Sequence, residues 1–453
     1  NAGITMKSVA LHNLGCKVNG YEMDVMQQIL LEKGYKIVPF DTQADIYIVN
    51  TCTVTNIADQ KSRQMLHRAK KRNPDAVVVA AGCYVQTGQD AVAEDTAVDL
   101  VIGNNRKKDI AVILEEYLEK KEQGILSEND KTLQNKTVID INHTAEYEQM
   151  QLSGTREHTR AYVKIQDGCN QFCSYCIIPF ARGRVRSRKE EDILSEVKDL
   201  VQAGYQEVVL TGIHISSYGI DTKDRHLLSL LEKLEEIPGL KRIRLGSLEP
   251  GIITEAFAGR ISELSKICPH FHLSLQSGCD ETLRRMNRRY TTGEYLEKVE
   301  ILRKHFENPA ITTDVIVGFP GETEEEFRCT ESFLQKIHFY EMHIFKYSKR
   351  QGTRAAVMPD QVPDTIKTQR SNRLLALEKQ MSEAYRRTFI GKEVTVLFEE
   401  TKEIDGHTFQ TGHTQEYIRA AGENAVRGSI MRGTVTGVLH DDVMLVEGLR
   451  DFG

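Results

Sequence analysis

Tryptophan is absent from this 453-residue chain, and only ten residues are proline. No unbroken apolar run is long enough to cross a bilayer, and no charged-then-apolar leader opens the sequence. No membrane role is expected, and the cytoplasm is the expected compartment. Asn1-Ala2-Gly3-Ile4-Thr5 reads as an expression-tag remnant ahead of Met6. A large excess of one charge is also missing. The formal net charge of −6 gives no overall attraction for a polyanion, so nucleic-acid binding would need local basic segments. Without an export signal, nine cysteines do not read as a disulfide scaffold. In a reducing compartment, clustered cysteines are more often metal ligands or catalytic groups.

What is present is sharpest at Asp167-Gly168-Cys169-Asn170-Gln171-Phe172-Cys173-Ser174-Tyr175-Cys176. The spacing is C-x3-C-x2-C, and no neighbouring cysteine or histidine completes a set of four. A structural zinc site normally closes with four protein ligands. Iron–sulfur clusters are also held by closely spaced thiolates. Three thiolates on a four-iron cluster leave one iron able to hold a small molecule.

The expected fold class is α/β, in three parts. Over residues 6–118, strand-like runs Ser8–Leu14, Ile46–Asn50, Val77–Ala81 and Val98–Ile102 alternate with helical stretches Met23–Lys33 and Asp59–Arg72, which predicts a small parallel α/β sheet domain. Three of these strands end at Cys16, Cys52 and Cys83. Ligands collect at the carboxyl ends of strands in open α/β sheets, so these cysteines are expected to converge on a second metal cluster. Residues 119–158 are polar and read as a linker, with one strand at Thr137–Ile141.

Over 159–388, strands are expected at Ala161–Gln166, Glu207–Thr211, Arg242–Leu245, His270–Leu275, Ala310–Gly318 and Glu341–Phe345, with helices such as Glu191–Ala203 and Leu227–Glu236 between them. Six such units predict a partial (β/α)6 barrel whose site lies at the carboxyl-terminal mouth. A helix over Pro363–Arg387 leads to residues 389–453. There Val394–Phe398, Glu416–Arg419, Ser429–Gly437 and Val443–Val446 predict a small antiparallel β-barrel. Cys268, Cys279 and Cys329 lack metal-ligand spacing and read as structural.

With the triplet directly after the first barrel strand, the chain resembles the radical S-adenosylmethionine enzymes. The resemblance implies a [4Fe–4S] cluster on Cys169, Cys173 and Cys176 whose open iron chelates S-adenosylmethionine, cleaved by one electron to methionine and a 5′-deoxyadenosyl radical. It further implies cofactor contacts from Thr211 and Gly212, from Glu249, from Ser274 and Gln276, and from the Ile316–Gly318 backbone. The three-part architecture narrows the resemblance to the radical S-adenosylmethionine methylthiotransferases. In that family Cys16, Cys52 and Cys83 would hold a second [4Fe–4S] cluster that presents sulfur, and the terminal barrel resembles a TRAM domain. An electron donor such as flavodoxin or ferredoxin and a sulfur donor are implied partners.

Family substrates are tRNA adenosines beside the anticodon or a ribosomal-protein aspartate. Leu14-Gly15-Cys16-Lys17-Val18-Asn19-Gly20-Tyr21-Glu22 resembles the branch acting on N6-threonylcarbamoyladenosine, so methylthiolation at C2 of that base in the tRNA anticodon stem-loop is expected. The alternatives are isopentenyladenosine in tRNA, the ribosomal-protein aspartate, or a non-catalytic RNA-binding protein with structural metal. Three basic groups favour phosphate contact. Lys61–Arg72 carries six basic residues and no acid, including Arg68, Lys71 and Arg72. Arg182, Arg184, Arg186 and Arg188 follow the cysteine loop, and Arg288 belongs to the third group. Residues 391–453 instead hold six Lys and Arg against eleven Asp and Glu, which places the electrostatic footprint on the first two parts.

Overall fold

The computed structural model describes residues 6–126, 137–154, 159–224 and 226–452; the proposed tag remnant lies outside them. Near the amino terminus, β1 (Ser8–Asn13), β2 (Lys36–Val38), β3 (Ile46–Thr51), β4 (Val77–Gly82) and β5 (Leu100–Ile102) form a parallel sheet in the order β2-β1-β3-β4-β5. Every residue of β3 and β4 is buried, because helices cover both faces. Ile46, Ile48, Val77 and Val79 pack with Tyr21, Met26 and Leu30 on one side. Tyr47, Val49, Val78 and Ala80 pack with Leu66 and Ala69 on the other. Two-sided burial is what continuous apolar runs imply for parallel strands. Helix α1 (Lys17–Glu32) starts six residues before the expected Met23, with Cys16 as its N-cap. Helix α2 (Asn56–Arg72) is capped by the Thr55 side chain, which accepts from the Ala58 amide.

The second part is a six-stranded partial barrel. Strand β6 (Arg160–Asp167) carries the short antiparallel β7 (Arg186–Ser187) on its outer edge and pairs in parallel with β8 (Glu207–Gly212), which pairs with β9 (Arg242–Leu245). Strands β10 (His270–His272), β11 (Ala310–Val317) and β12 (Glu341–Lys346) form a second parallel group. Isolated bridges Ile243↔Ile267 and Leu248↔Leu273 join the two groups. Only the first three residues of the expected His270–Leu275 strand stay in the ladder.

Strand alternation divides the two faces of the barrel wall. Val163, Ile165, Val208, Leu210, Ile243, Leu245, Phe271 and Val315 turn outward into the apolar core beneath the helices. Their neighbours in sequence turn inward: Arg160, Lys164, Glu207, Arg242, Arg244, His270, His272, Asp314, Glu341 and His343. The lumen is therefore lined by charge.

Thr137–Ile141 does not form a strand. The Thr137 hydroxyl donates to the Val101 carbonyl and the Gly103 amide donates to the Thr137 carbonyl at 2.9 Å, but no ladder follows, and Ile141–His143 is a 3-10 turn. The expected linker also begins inside a helix, Ile110–Glu122. Its stretch from 147 to 152 is packed rather than loose: Tyr147, Met150 and Leu152 are buried, and the Tyr21 hydroxyl donates to the Met150 carbonyl at 2.9 Å.

A 24-residue helix, Asp364–Arg387, leads to a closed barrel of β13 (Glu393–Ile404), β14 (His407–Thr414), β15 (Arg419–Gly422), β16 (Ile430–His440) and β17 (Val443–Asp451). Its pairings are antiparallel except β15 with β17. The expected strand at Glu416–Arg419 is mostly turn, with Tyr417 at φ +69°. That turn closes the amino-terminal end of the central barrel. Tyr417 stacks with His270 and His413 at ring separations of 5.2 and 4.2 Å. Arg244 donates to the Thr414 and Gln415 carbonyls at 3.2 and 2.8 Å, and Arg160 donates to the Tyr417 hydroxyl at 2.7 Å.

Candidate active site

Each cysteine of the first triplet is placed by backbone that other elements hold. Gly168, between β6 and the loop, has φ +75°, and a Cβ there would sit 1.8 Å from the Arg184 carbonyl oxygen. Only glycine fits so close an approach. The Cys169 amide donates to the Gly183 carbonyl at 3.0 Å, and the Cys176 amide to the Cys173 carbonyl at 3.0 Å. Ser174 fastens the middle of the loop, its hydroxyl donating to the Arg285 carbonyl at 2.8 Å. We expect Gly168→Ala to lower thermal stability by several degrees and to reduce iron uptake in parallel, both readable from a melting curve and an iron assay. A variant with normal values for both would contradict this account of the loop.

Arg288 reaches this loop from the barrel. One guanidinium nitrogen donates to Cys173 Sγ at 3.2 Å, while another donates to both Glu249 oxygens at 3.1 and 3.0 Å. Burial raises the Glu249 carboxyl, but the His214 hydrogen bond and the Arg288 charge outweigh it and hold the group below its usual range. Burial pushes the Cys169 thiol up to about 11 and, with Cys173 adding to it, the Cys176 thiol up to about 12. Iron binding would displace those protons, as thiolate ligation does generally.

The second triplet also converges. Cys16 caps α1, Cys52 follows β3, and Cys83 follows β4. A Cβ on Gly15 would lie 3.0 Å from Cys52 Cβ and 3.1 Å from its Sγ, so backbone contact at glycine brings Cys16 beside Cys52. Asn19 ties the strand ends together, its amide donating to the Leu14 and Thr51 carbonyls at 2.7 and 3.1 Å. Cys16 is exposed while Cys52 and Cys83 are buried, and burial raises the Cys52 thiol to about 11.

Between the triplets lies a buried charge network. Arg182 donates from Nε to Cys83 Sγ at 3.2 Å and from its terminal nitrogens to Asn19, to Glu22 and to Asp167 at 3.3 Å. Asp167 stands two residues before Cys169, so one guanidinium spans from one cysteine set to the chain carrying the other. Glu22 also pairs with Lys107, and with Lys164 at 2.7 Å. Burial opposes ionisation of Glu22, yet Arg182, Lys107 and Lys164 hold its carboxyl well below the usual range. Burial likewise opposes ionisation of Asp167, and Lys164, Arg182 and Arg186 bring it down to about 2. Four buried cations thus face two carboxylates, with Glu148 at the margin pushed up by burial. A positive surplus beside two sets of three thiols suits anionic thiolate-ligated iron clusters. The donor set and its surroundings fit that group.

The RNA-contact expectation is corrected at four arginines. Arg182, Arg186 and Arg188 are buried, the last paired with Glu196, and half-buried Arg288 is engaged by Cys173 and Glu249. They face inward toward acids: Arg182 toward Glu22 and Asp167, Arg186 toward Asp167, Arg188 toward Glu196 and Arg288 toward Glu249. Arg68, Lys71 and Arg184 are exposed, and half-buried Arg72 donates to the Phe40 carbonyl at 2.6 Å.

The expected cofactor residues sit at carboxyl-terminal strand ends. Thr211 and Gly212 end β8, where a Cβ on Gly212 would approach the Gln166 side chain at 2.9 Å. Ser274 and Gln276 follow β10, and the Gln276 carbonyl accepts from the Ile316 amide at 2.9 Å. Gly318, just past β11, has φ +72°, and its amide donates to Glu322 at 2.9 Å. Sequence reading missed Glu22, Lys164, Asn104 and Arg350 as members of the site's framework. Asn104 donates to Cys83 Sγ at 3.5 Å, and Arg350 pins the first part to the barrel through Thr53, Asn56 and Asp59 at 2.7, 2.6 and 2.7 Å. Glu22 closes the Leu14–Glu22 stretch, and the other three carry no local motif.

Comparison with known proteins agrees with this architecture. The radical SAM superfamily matches residues 163–334, and a family described as uncharacterized protein family UPF0004 matches residues 8–103. A threonylcarbamoyladenosine tRNA methylthiotransferase, MtaB, of Bacillus subtilis is 41% identical over 91% of this chain and 90% of its own. A tRNA-2-methylthio-N(6)-dimethylallyladenosine synthase of Moorella thermoacetica is 35% identical over 95% and 96%. Among solved structures, the radical S-adenosylmethionine methyltransferase TsrM of Kitasatospora setae superposes with a TM-score of 0.58 at 16% identity, covering 78% of this chain and 77% of that one, which speaks to the fold alone. No helix among the described residues is long and apolar enough to cross a membrane. Two converging cysteine triplets, a radical-type barrel and similarity across nearly the full length have one common source: this chain is an enzyme of the radical S-adenosylmethionine methylthiotransferase family, using S-adenosylmethionine and [4Fe–4S] clusters.

Proposed function

We propose that this enzyme inserts a methylthio group at C2 of N6-threonylcarbamoyladenosine beside the anticodon of tRNA. The observation that carries the reading is the Arg182 bridge, which ties Cys83 of one cysteine triplet to Asp167, two residues before Cys169 of the other. The threonylcarbamoyladenosine branch is favoured over the dimethylallyl branch by 41% against 35% identity in the relatives above. When bound, clusters on Cys169, Cys173 and Cys176 and on Cys16, Cys52 and Cys83 supply one-electron cleavage of S-adenosylmethionine and sulfur, respectively.

The chain's own residues orient and seclude this chemistry. Arg288 neutralises charge at Cys173 while Glu249 fixes the guanidinium's direction. Thr211, Gly212, Glu249, Ser274, Gln276 and the Ile316–Gly318 backbone line the mouth where S-adenosylmethionine would lie. The Tyr417 turn excludes water from below. Exposed Arg68, Lys71 and Arg184 are the basic residues available to phosphates of the anticodon stem-loop. A base already unstacked in that loop costs little to splay into the mouth. An electron donor such as flavodoxin or ferredoxin and a separate sulfur donor complete the cycle, in the cytoplasm.

Nucleoside mass spectrometry of tRNA from a deletion strain tests the substrate. Loss of the methylthiolated threonylcarbamoyladenosine is the expected result, with return on complementation. Loss of a methylthiolated isopentenyl derivative instead would transfer the enzyme to that substrate.

A further inference from the structure

Strands β10, β11 and β12 run in parallel, with Thr312 opposite both His272 and Glu341 and with Asp314 opposite His343. Phe271, Ile311, Val315 and Met342 take the face that packs beneath the helices. By alternation His272, Thr312, Asp314, Glu341 and His343 share the other face, toward the lumen. This wall carries two carboxylates and no lysine or arginine. The wall formed by β6, β8 and β9 carries Arg160, Lys164, Arg242 and Arg244 against Glu207. A cation in this lumen is therefore drawn to the β10–β12 side.

On that side two imidazoles and one carboxylate come together. His272 Nε2 lies 3.3 Å from an Asp314 carboxylate oxygen, and the His343 ring stacks on the His272 ring at a separation of 5.8 Å and an angle of 29°. One nitrogen or oxygen from each of the three residues lies within 4.8 Å of those of the other two. His272 Nδ1 is 2.9 Å from the Thr312 hydroxyl oxygen. When Nδ1 donates its proton to that oxygen, Nε2 turns a lone pair toward the Asp314 carboxylate, which is repulsive unless a cation stands between them. A histidine that ligates metal through one nitrogen is commonly held by the other in this way. The 3.3 Å edge also matches the span of two bonds of about 2.0–2.1 Å meeting at a tetrahedral angle. His343 is exposed, and the Asp314 side chain keeps 30% of its surface, so water and ions reach the group.

We propose that His272, Asp314 and His343 bind a divalent transition-metal ion inside the barrel, separate from the iron–sulfur clusters. Two nitrogens and one carboxylate suit zinc or iron(II) rather than magnesium or calcium, which take oxygen ligands. Three protein ligands leave a position open on the lumen side for water or for an oxygen of a bound substrate. The ion would stand between two layers already described. Below it, His270 stacks on Tyr417 at 5.2 Å. Above it, Ile316 follows Asp314 by two residues and begins the backbone segment expected to edge S-adenosylmethionine. The site is independent of which nucleoside the enzyme modifies.

Cobalt(II) is the probe, because thiolate ligation produces an intense sulfur-to-cobalt charge-transfer band that nitrogen and oxygen ligands lack. Reconstituted holoenzyme is dialysed anaerobically against cobalt(II) as wild type, Asp314→Asn, His343→Ala and Thr312→Val, with iron content and a melting curve recorded for each. The wild type should take up about one cobalt per chain beyond its iron, without the thiolate band, and zinc should displace it. Asp314→Asn and His343→Ala should lose that uptake while keeping their iron. Thr312→Val, which removes only the hydroxyl behind His272, should weaken cobalt binding about tenfold to a hundredfold.

No uptake by the wild type would overturn the inference, leaving His272 Nε2–H as a plain donor to Asp314. Uptake that carries the thiolate band would assign the cobalt to cysteine and overturn it equally. So would wild-type affinity in both Asp314→Asn and His343→Ala. Since His343 is exposed, His343→Ala keeps the test decisive even if Asp314→Asn fails to fold.

Discussion

Cys173→Ala is expected to abolish 5′-deoxyadenosine formation, while Cys52→Ala leaves that cleavage measurable and eliminates methylthiolation. The asymmetry follows from the two placements. Cys173 lies in the loop after β6 at the barrel mouth, under the Arg288 guanidinium, and its loss would remove one of the three ligands proposed there. Cys52 follows β3 in a different sheet, held to Ser62 through its own backbone, and its loss leaves the barrel loop and its contacts untouched. Anaerobically reconstituted wild type should hold about eight irons per chain, and each variant about four, given four per cluster. Chromatographic assay of 5′-deoxyadenosine and methylthiolated nucleoside from the same reactions separates the outcomes. Normal methylthiolation by Cys52→Ala would end the sulfur-presenting role assigned to the second triplet. About four irons in the wild type would end the two-cluster account altogether.

Arg182→Met should produce the largest loss of stability of any single arginine change. Removing one partner from a buried ionic network costs about 3–5 kcal/mol, because the partners stay behind unpaired. Here the abandoned groups are Glu22, Asp167, Asn19 and the Cys83 sulfur. Arg182→Lys keeps the charge but cannot present four donors in a planar fork, so an intermediate loss is expected. Arg184→Met, two residues away and exposed, should change stability by about 0.5 kcal/mol or less. Denaturant unfolding of the three variants orders them, and iron content should fall in Arg182→Met. Arg182→Met with wild-type stability would show that the bridge between the triplets is dispensable.

The grouping of the six cysteines into two sets was legible because spacing and strand ends are local features of the sequence. The same is true of β3 and β4, whose unbroken apolar runs announce burial on both faces. The arginine run was misread for the opposite reason. Arg182 meets Glu22 across 160 residues of sequence, and a basic stretch looks alike whether its acids lie in solvent or in a distant helix. Helix α1 was placed too late because Asn19 and Gly20 are poor helix formers. Burial of Asn19 and Glu22 against the junction overrides that preference. Strand β14 escaped notice because its residues are mostly polar around Gly412, and it gains its order from two neighbouring strands rather than from its own pattern.

The Tyr417 turn gives the central chamber a floor. With the amino-terminal end of the barrel covered by that ring and its arginine ties, traffic is left to the opposite end, at the cysteine loops. Nucleoside, spent cofactor fragments and fresh cofactor must then pass in turn rather than flow through. A cycle that needs both a nucleoside and S-adenosylmethionine becomes a matter of queueing: the order of departures at the mouth sets the order of arrivals.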